Sequence, residues 1–290
     1  MPPKLTNLVA GLPASVPFVG PENLERARGA SFLARLGANE NGFGPSAKAI
    51  LAMQEAAFET WKYADPENHD LKAALAQHHQ VKPSNIIVGE GIDGLLGYLC
   101  RMFVEPGVQV VTSDGAYPTF NFHVAGYGGT LTKVPYSHDA EDPSALLSAA
   151  QDLGARLIYF ANPDNPMGSE HGPNTVRAMM DHVQEDAVLI LDEAYGEYSN
   201  LGLPDIDVSR PNVIRFRTFS KAYGMAGARV GYGIGHPDLV GAFDKIRNHF
   251  GMNRISVAGA LAALEDQPYL RDILRKTEAA RQRLGDIAGK

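Results

Sequence analysis

Cysteine is almost missing from this chain, with Cys100 alone among 290 residues. One thiol can build neither a disulfide framework nor the cysteine quartet of a structural zinc site, so no metal is expected and the cytoplasm is the expected compartment. Charge of one sign nowhere accumulates. The 26 lysines and arginines are scattered and the formal net charge is -7, which leaves no basic stripe for nucleic acid. Long uncharged runs are also wanting: the longest stretch free of Asp, Glu, Lys and Arg, at 115–132, contains a proline, a histidine and several glycines and does not read as a membrane span. The N-terminal residues lack the basic start and apolar run of a secretion signal.

What is present is a core-forming composition, 44% hydrophobic and 20% charged, long enough for one large domain or two ordinary ones. Short β-branched or aromatic runs alternate with longer helical patterns. Strands are expected at 85–89, 108–113, 129–136, 155–162, 187–193, 212–219 and 229–235, and helices at 92–104, 117–126, 142–152 and 173–184. Strands separated by such crossovers predict an α/β fold with a mainly parallel seven-stranded sheet covered on both faces. Before residue 80 the pattern is helix and loop; after Pro237 it reads as helical to the end. No internal repeat or low-complexity tract stands out.

Ligands of open parallel sheets bind beyond the carboxyl ends of the strands. Five such ends are unusual: "GEGID" at 89–93, "AYPTF" at 116–120, "NPDNPMG" at 162–168, "LDEAYGEY" at 191–198 and "TFSKAYGMAGAR" at 218–229. Each also has an ordinary reading. Gly89 and Gly91 suit a tight strand-to-helix turn, Asn165 a turn before Pro166, Asp192 a helix cap, Tyr195 an amphipathic surface position, and Lys221 a solvated surface lysine.

Taken together and in this order, the segments resemble the fold-type I pyridoxal phosphate (PLP) enzymes, specifically the class I/II aminotransferases of the histidinol-phosphate aminotransferase group. "SKAYGMAGARVGY" is similar to that group's S-K-x-x-x-x-A-G-x-R-x-G-[YF], "DEAYGEY" to D-E-A-Y-x-E-[FY], "NPDNPMG" to N-P-N-N-P-T-G, and "ANENGFGPS" at 38–46 to N-E-N-P-x-G-P-S. The resemblance covers 17–290. It implies three regions: an N-terminal arm with part of a small domain over 1–40, a large PLP-binding domain over 41–250, and an interdomain helix opening a small domain over 251–290.

The resemblance also assigns roles. Lys221 is the amine that holds PLP as a Schiff base and later moves a proton; Asp192 keeps the ring nitrogen protonated; Asn165 and Tyr195 bond the ring oxygen; Phe120 stacks on the ring. The phosphate falls to Gly91, Ile92 and Asp93 at a helix start and to Thr218, Ser220 and Arg229. Tyr63, in "KYADP", matches a tyrosine reaching the neighbouring subunit's phosphate, which implies a homodimer. Phe18, Asn39, Glu40, Asn41 and Gly42 fall at substrate-contacting positions.

Among the departures from the pattern, Met167 replaces a threonine, and Phe18 stands where a tyrosine is common. The group continues past the position of Lys290 through a small domain whose arginine clamps the substrate carboxylate; no residue here matches it, and the expectation is of a protein longer than this sequence. The expected activity moves an amino group between an amino acid or amino alcohol phosphate and a 2-oxo acid. Decarboxylation of a phosphorylated threonine, β-elimination and a non-catalytic PLP-binding regulator are the alternatives, because the cofactor site alone does not choose the bond that breaks.

Overall fold

A computed structural model describes residues 3–14 and 19–289. Its strands are β1 (Ile86–Gly89), β2 (Gln109–Ser113), β3 (Thr130–Val134), β4 (Leu157–Ala161), β5 (Val188–Asp192), β6 (Val213–Thr218) and β7 (Gly231–Gly235). Before them lie helices α1 (Asn7–Gly11), α2 (Pro21–Arg28), α3 (Ala47–Ala57) and α4 (His69–His79); between them lie α5 (Gly91–Phe103), α6 (Pro118–Gly126), α7 (Pro143–Leu153) and α8 (Pro173–His182). After them come α9 (Pro237–Ala242), α10 (Arg254–Glu265) and α11 (Gln267–Ala288).

All seven strands join one sheet in the order β1-β7-β6-β5-β4-β2-β3. β7 runs against both its neighbours, β1 and β6, while the remaining pairs are parallel, so the expected mainly parallel sheet is present with one reversed strand. The other six strands therefore end along one edge. β4 ("LIYFA") and β5 ("VLILD") are buried at every position, as continuous apolar strands covered on both faces must be.

Helix α5 repeats its buried residues at Ile92, Leu95, Leu96, Leu99 and Cys100, the spacing that lays one stripe on the sheet, against Tyr159, Ile190, Ile214 and Phe216. On the opposite face α7 and α8 deliver Leu146, Ala150, Val176, Met179 and Met180 to Ile158, Phe160, Leu189 and Leu191. The start of α5 comes very close to β7. A β-carbon on Gly231 would fall 2.6 Å from the Ile92 nitrogen, a contact that only glycine permits.

The helical run expected after Pro237 is interrupted. Residues 246–253 are irregular, and Asn253 restarts the chain as α10 by accepting a hydrogen bond from the Ser256 N–H at 2.8 Å. Asn248, Gly251 and Asn253 are turn- and cap-forming types, which outweigh the helical pattern there.

Candidate active site

Lys221 follows the end of β6 in a turn closed by the Gly224 N–H to the Lys221 carbonyl (3.0 Å) and the Met225 N–H to the Phe219 carbonyl (3.0 Å). The turn aims its ammonium across the carboxyl edge of the sheet into a cavity of about 370 Å³. There Nζ donates to the Ala38 carbonyl at 3.1 Å and lies 5.3 Å from the centre of the Tyr195 ring. Burial pulls Lys221 below the ordinary lysine range; the Asp192 carboxylate opposes this, and the Arg229 guanidinium adds to it. A lysine so placed holds its free-amine form more readily than a solvated one.

Asp192, the last residue of β5, is buried at the cavity floor. Its Oδ2 accepts from the Tyr159 hydroxyl at 2.6 Å and its Oδ1 from the Ala194 N–H at 2.9 Å. Burial pushes its pKa above the usual carboxylate range in spite of those donors and of the Lys221 ammonium across the cavity. Tyr195 and Asn165 line the same cavity. The Tyr195 hydroxyl accepts from Asn39 Nδ2 at 2.9 Å, and burial pushes this phenol up to about 12. Asn165 is carried by the loop that follows β4, between two cis prolyl bonds at Pro163 and Pro166.

The other end of the cavity is built for an anion. The first turn of α5 brings Ile92 and Asp93, with the unpaired N–H groups of a helix start, opposite Thr218, Ser220 and Arg229. Thr218 and Ser220 are tied together by the Thr218 hydroxyl donating to Ser220 Oγ (2.9 Å) and the Ser220 N–H donating to Thr218 Oγ1 (3.0 Å). Arg229 Nη1 donates to Ser220 Oγ at 3.3 Å. Gly91 has φ +78°, and a β-carbon there would lie 2.5 Å from Arg229 Nη2, so glycine alone lets the guanidinium lie over the helix start.

Several expected site residues lie elsewhere. Phe120 is not brought to the cavity: its ring is fully buried behind it, stacked on Tyr159 with centres 4.8 Å apart, and Tyr117 lines the wall instead. Position decides this, because Tyr117 caps α6 from outside whereas Phe120 belongs to its first buried turn. Tyr63 is 78% exposed, packed against Phe250 with ring centres 4.8 Å apart, and is not brought to the cavity within this chain. Asn39 lines the cavity, while Glu40, Asn41 and Gly42 line an adjoining one of about 460 Å³ that shares Asn39, Asn165 and Tyr195. Glu40 accepts two bonds from Arg35 (2.6 and 2.9 Å), and Asn41 Nδ2 donates to the Ala222 carbonyl at 3.1 Å. Phe18 lies outside the described residues.

Tyr159 and Tyr117 were not singled out from the sequence. The signal for Tyr159 was one polar atom in an otherwise apolar strand, since a buried tyrosine hydroxyl needs a partner; its partner, Asp192, is reached only through the pairing of β4 with β5.

A sheet with one reversed strand, a half-buried lysine after β6 and a buried aspartate ending β5 define a fold-type I transferase scaffold. The chain belongs to the family described as aminotransferase class I and II, whose sequence pattern matches residues 33–287. It is 37% identical over 241 residues to histidinol-phosphate aminotransferase 2 of Nitrosospira multiformis, an alignment covering 82% of this chain and 61% of that protein. It is 34% identical over 273 residues to histidinol-phosphate aminotransferase of Moorella thermoacetica, covering 92% of this chain and 70% of that protein. The chain thus spans about three-fifths to seven-tenths of the length of these curated relatives. The crystal structure of histidinol-phosphate aminotransferase from Sinorhizobium meliloti, a complex with pyridoxal-5'-phosphate, superimposes with a TM-score of 0.96 at 56% identity, covering 99% of this chain and 77% of that one. Aspartate aminotransferase from Thermus thermophilus, at 22% identity and a TM-score of 0.84 over 97% of this chain and 78% of that one, shares the fold.

Proposed function

We propose that this chain is the cofactor-binding body of a PLP-dependent aminotransferase that exchanges an amino group between a histidinol-phosphate-like amino alcohol phosphate or amino acid and a 2-oxo acid. The observation that carries the reading is one cavity with a depressed-pKa lysine, a buried aspartate and an anion-binding end.

The residues fit PLP at three places. Helix-start N–H groups at Ile92 and Asp93, with Thr218, Ser220 and Arg229, would hold the phosphate; Asp192, raised by burial, would gain from a protonated ring nitrogen; Asn165 and Tyr195 would bond the ring oxygen. When bound, PLP supplies an electron sink for the bond broken at the amino-bearing carbon. The chain's part is to orient and to move protons. Lys221 Nζ, biased toward the free amine, would first hold the cofactor and then take up and return a proton. Tyr159 and the Ala194 N–H keep the Asp192 carboxylate in one orientation, and the Asn39 side chain does the same for the Tyr195 hydroxyl.

The names of the relatives support the substrate class. Tyr63, exposed and packed against Phe250, fits a role in a partner subunit's site within a homodimer. A single buried cysteine suits the cytoplasm.

The direct test is borohydride reduction of the protein incubated with PLP, followed by peptide mapping. The adduct is expected on Lys221, and an adduct on another lysine, or none, overturns the cofactor assignment. A screen of amino donors that follows the ketone product then separates transamination from decarboxylation and elimination.

A further inference from the structure

Two carboxyl groups that the proposed reaction does not use lie beside the cavity, Asp164 lining the adjoining one. Glu141, just before α7, is 2% exposed, and Asp164, between Pro163 and Asn165, is 5% exposed. Glu141 is tied to the carboxyl edge of the sheet: Oε2 accepts from the Ser113 hydroxyl ending β2 (2.5 Å) and Oε1 from the Ala161 N–H ending β4 (3.0 Å). Asp164 is tied to the loop that carries Asn165. Its Oδ2 accepts from the Tyr136 hydroxyl at 3.0 Å and weakly from the Met167 N–H at 3.4 Å. Its own N–H donates to the Ser169 carbonyl (2.9 Å), and its carbonyl accepts from the Gly168 N–H (3.2 Å).

The two side chains are within hydrogen-bonding reach of each other, yet Asp164 Oδ1 is buried and receives no donor. Among the described residues no cation answers them. The titratable groups around the pair are Tyr136 and Asp114 from the β2–β3 side, Tyr159 from β4, and His171, whose Nε2 donates to the Glu141 carbonyl at 2.7 Å. Two ionised carboxylates this close, with no cation, repel strongly; one retained proton removes the repulsion and supplies the absent donor. Asp164 also stands where the N-P-N-N-P-T-G pattern has asparagine, so the resemblance does not provide for this pair.

We propose that Glu141 and Asp164 share one proton, with Glu141 donating to Asp164, and so act as positioning residues that fasten the 163–168 loop and Asn165 to the cavity wall. The inference rests on the proposed function only for the role of Asn165. Burial pushes both carboxyls above the ordinary range. The folded chain therefore retains a proton that the unfolded chain releases, and the stability that this proton supplies is complete below the ordinary carboxylate range and lost as pH rises through the elevated value.

The test uses the whole chain, with and without added PLP. In the wild type, hydrogen-exchange protection of the Asp164 and Gly168 amides, corrected for intrinsic rate, should fall about tenfold or more between about pH 6 and about pH 9. In Glu141→Gln, which keeps a donor but cannot ionise, the change over that window should stay within about twofold. Asp164→Asn, the pattern's own residue, should flatten the profile likewise and serves if Glu141→Gln does not fold. The infrared difference between the wild type and Glu141→Gln should contain a protonated-carboxyl band at about pH 6. The dissociation constant for PLP should rise more steeply across the same window in the wild type than in either variant. A flat exchange profile in the wild type, or an equal fall in the variants, overturns the proposal. If the exchange profile behaves as expected while PLP fails to bind, the proposed function falls and the shared proton stands.

Discussion

Asp192 is held between two donors, with the Lys221 ammonium acting on it only across the cavity, so its charge gains most when a cation arrives in direct contact. Asp192→Asn preserves the shape but cannot balance a protonated ring nitrogen. PLP should still bind, while turnover falls by at least about a hundredfold, the scale of a lost acid–base contribution. Tyr159→Phe removes one donor and leaves the charge, so its effect on turnover should be smaller, about tenfold or less. Turnover and PLP titrations of the two variants check the ranking, and equal losses would contradict it. Thr218, Ser220, Lys221 and Arg229 could be read from the sequence because one short segment carries them, whereas Tyr117 and Tyr159 reach the cavity through a helix entry and a strand pairing that no local pattern encodes. Phe120 belongs to the same lesson: adjacency in "PTF" gave its neighbourhood, and the first turn of α6 decided its direction.

At the scale of elements, the strands were legible because continuous apolar runs bounded by turn residues are what a doubly covered sheet requires. The reversal of β7 was not, since an apolar run carries no information about direction. Helix α5 shows how an element serves two ends at once. Its apolar stripe carries stability and its first turn carries the anion site, and the two should separate by mutation. Leu96→Ala should reduce stability by about 2–5 kcal/mol and leave PLP affinity nearly unchanged under folding conditions. Gly231→Ala, which forces the Ile92 nitrogen away from β7, should lower stability by at least about 1–3 kcal/mol and in addition weaken PLP binding at least about tenfold. Urea melts together with PLP titrations measure both, and the reverse pattern would show that the approach of α5 to β7 does not set the anion site.

At the scale of the molecule, Phe58 (85%), Trp61 (78%) and Tyr63 (78%), close in sequence, are the most exposed aromatic side chains among the described residues, and a homodimer would cover them. If Tyr63 serves a partner's phosphate, mixing a Lys221→Ala chain with a Tyr63→Ala chain should rebuild one complete site per heterodimer and restore PLP affinity above that of either parent. Heterodimers verified by mass without such recovery would return Tyr63 to its own subunit. The sheet order has a consequence in time. β1 is made early but, among the described residues, pairs only with β7, the last described strand, so during synthesis it waits without that partner for on the order of ten seconds at ribosomal speed. The helix start that β1 leads into is thus fixed in place last, and any ribosomal stall before Gly231 leaves a nascent chain with an open strand edge and no anchored anion site, a form suited to capture by a chaperone.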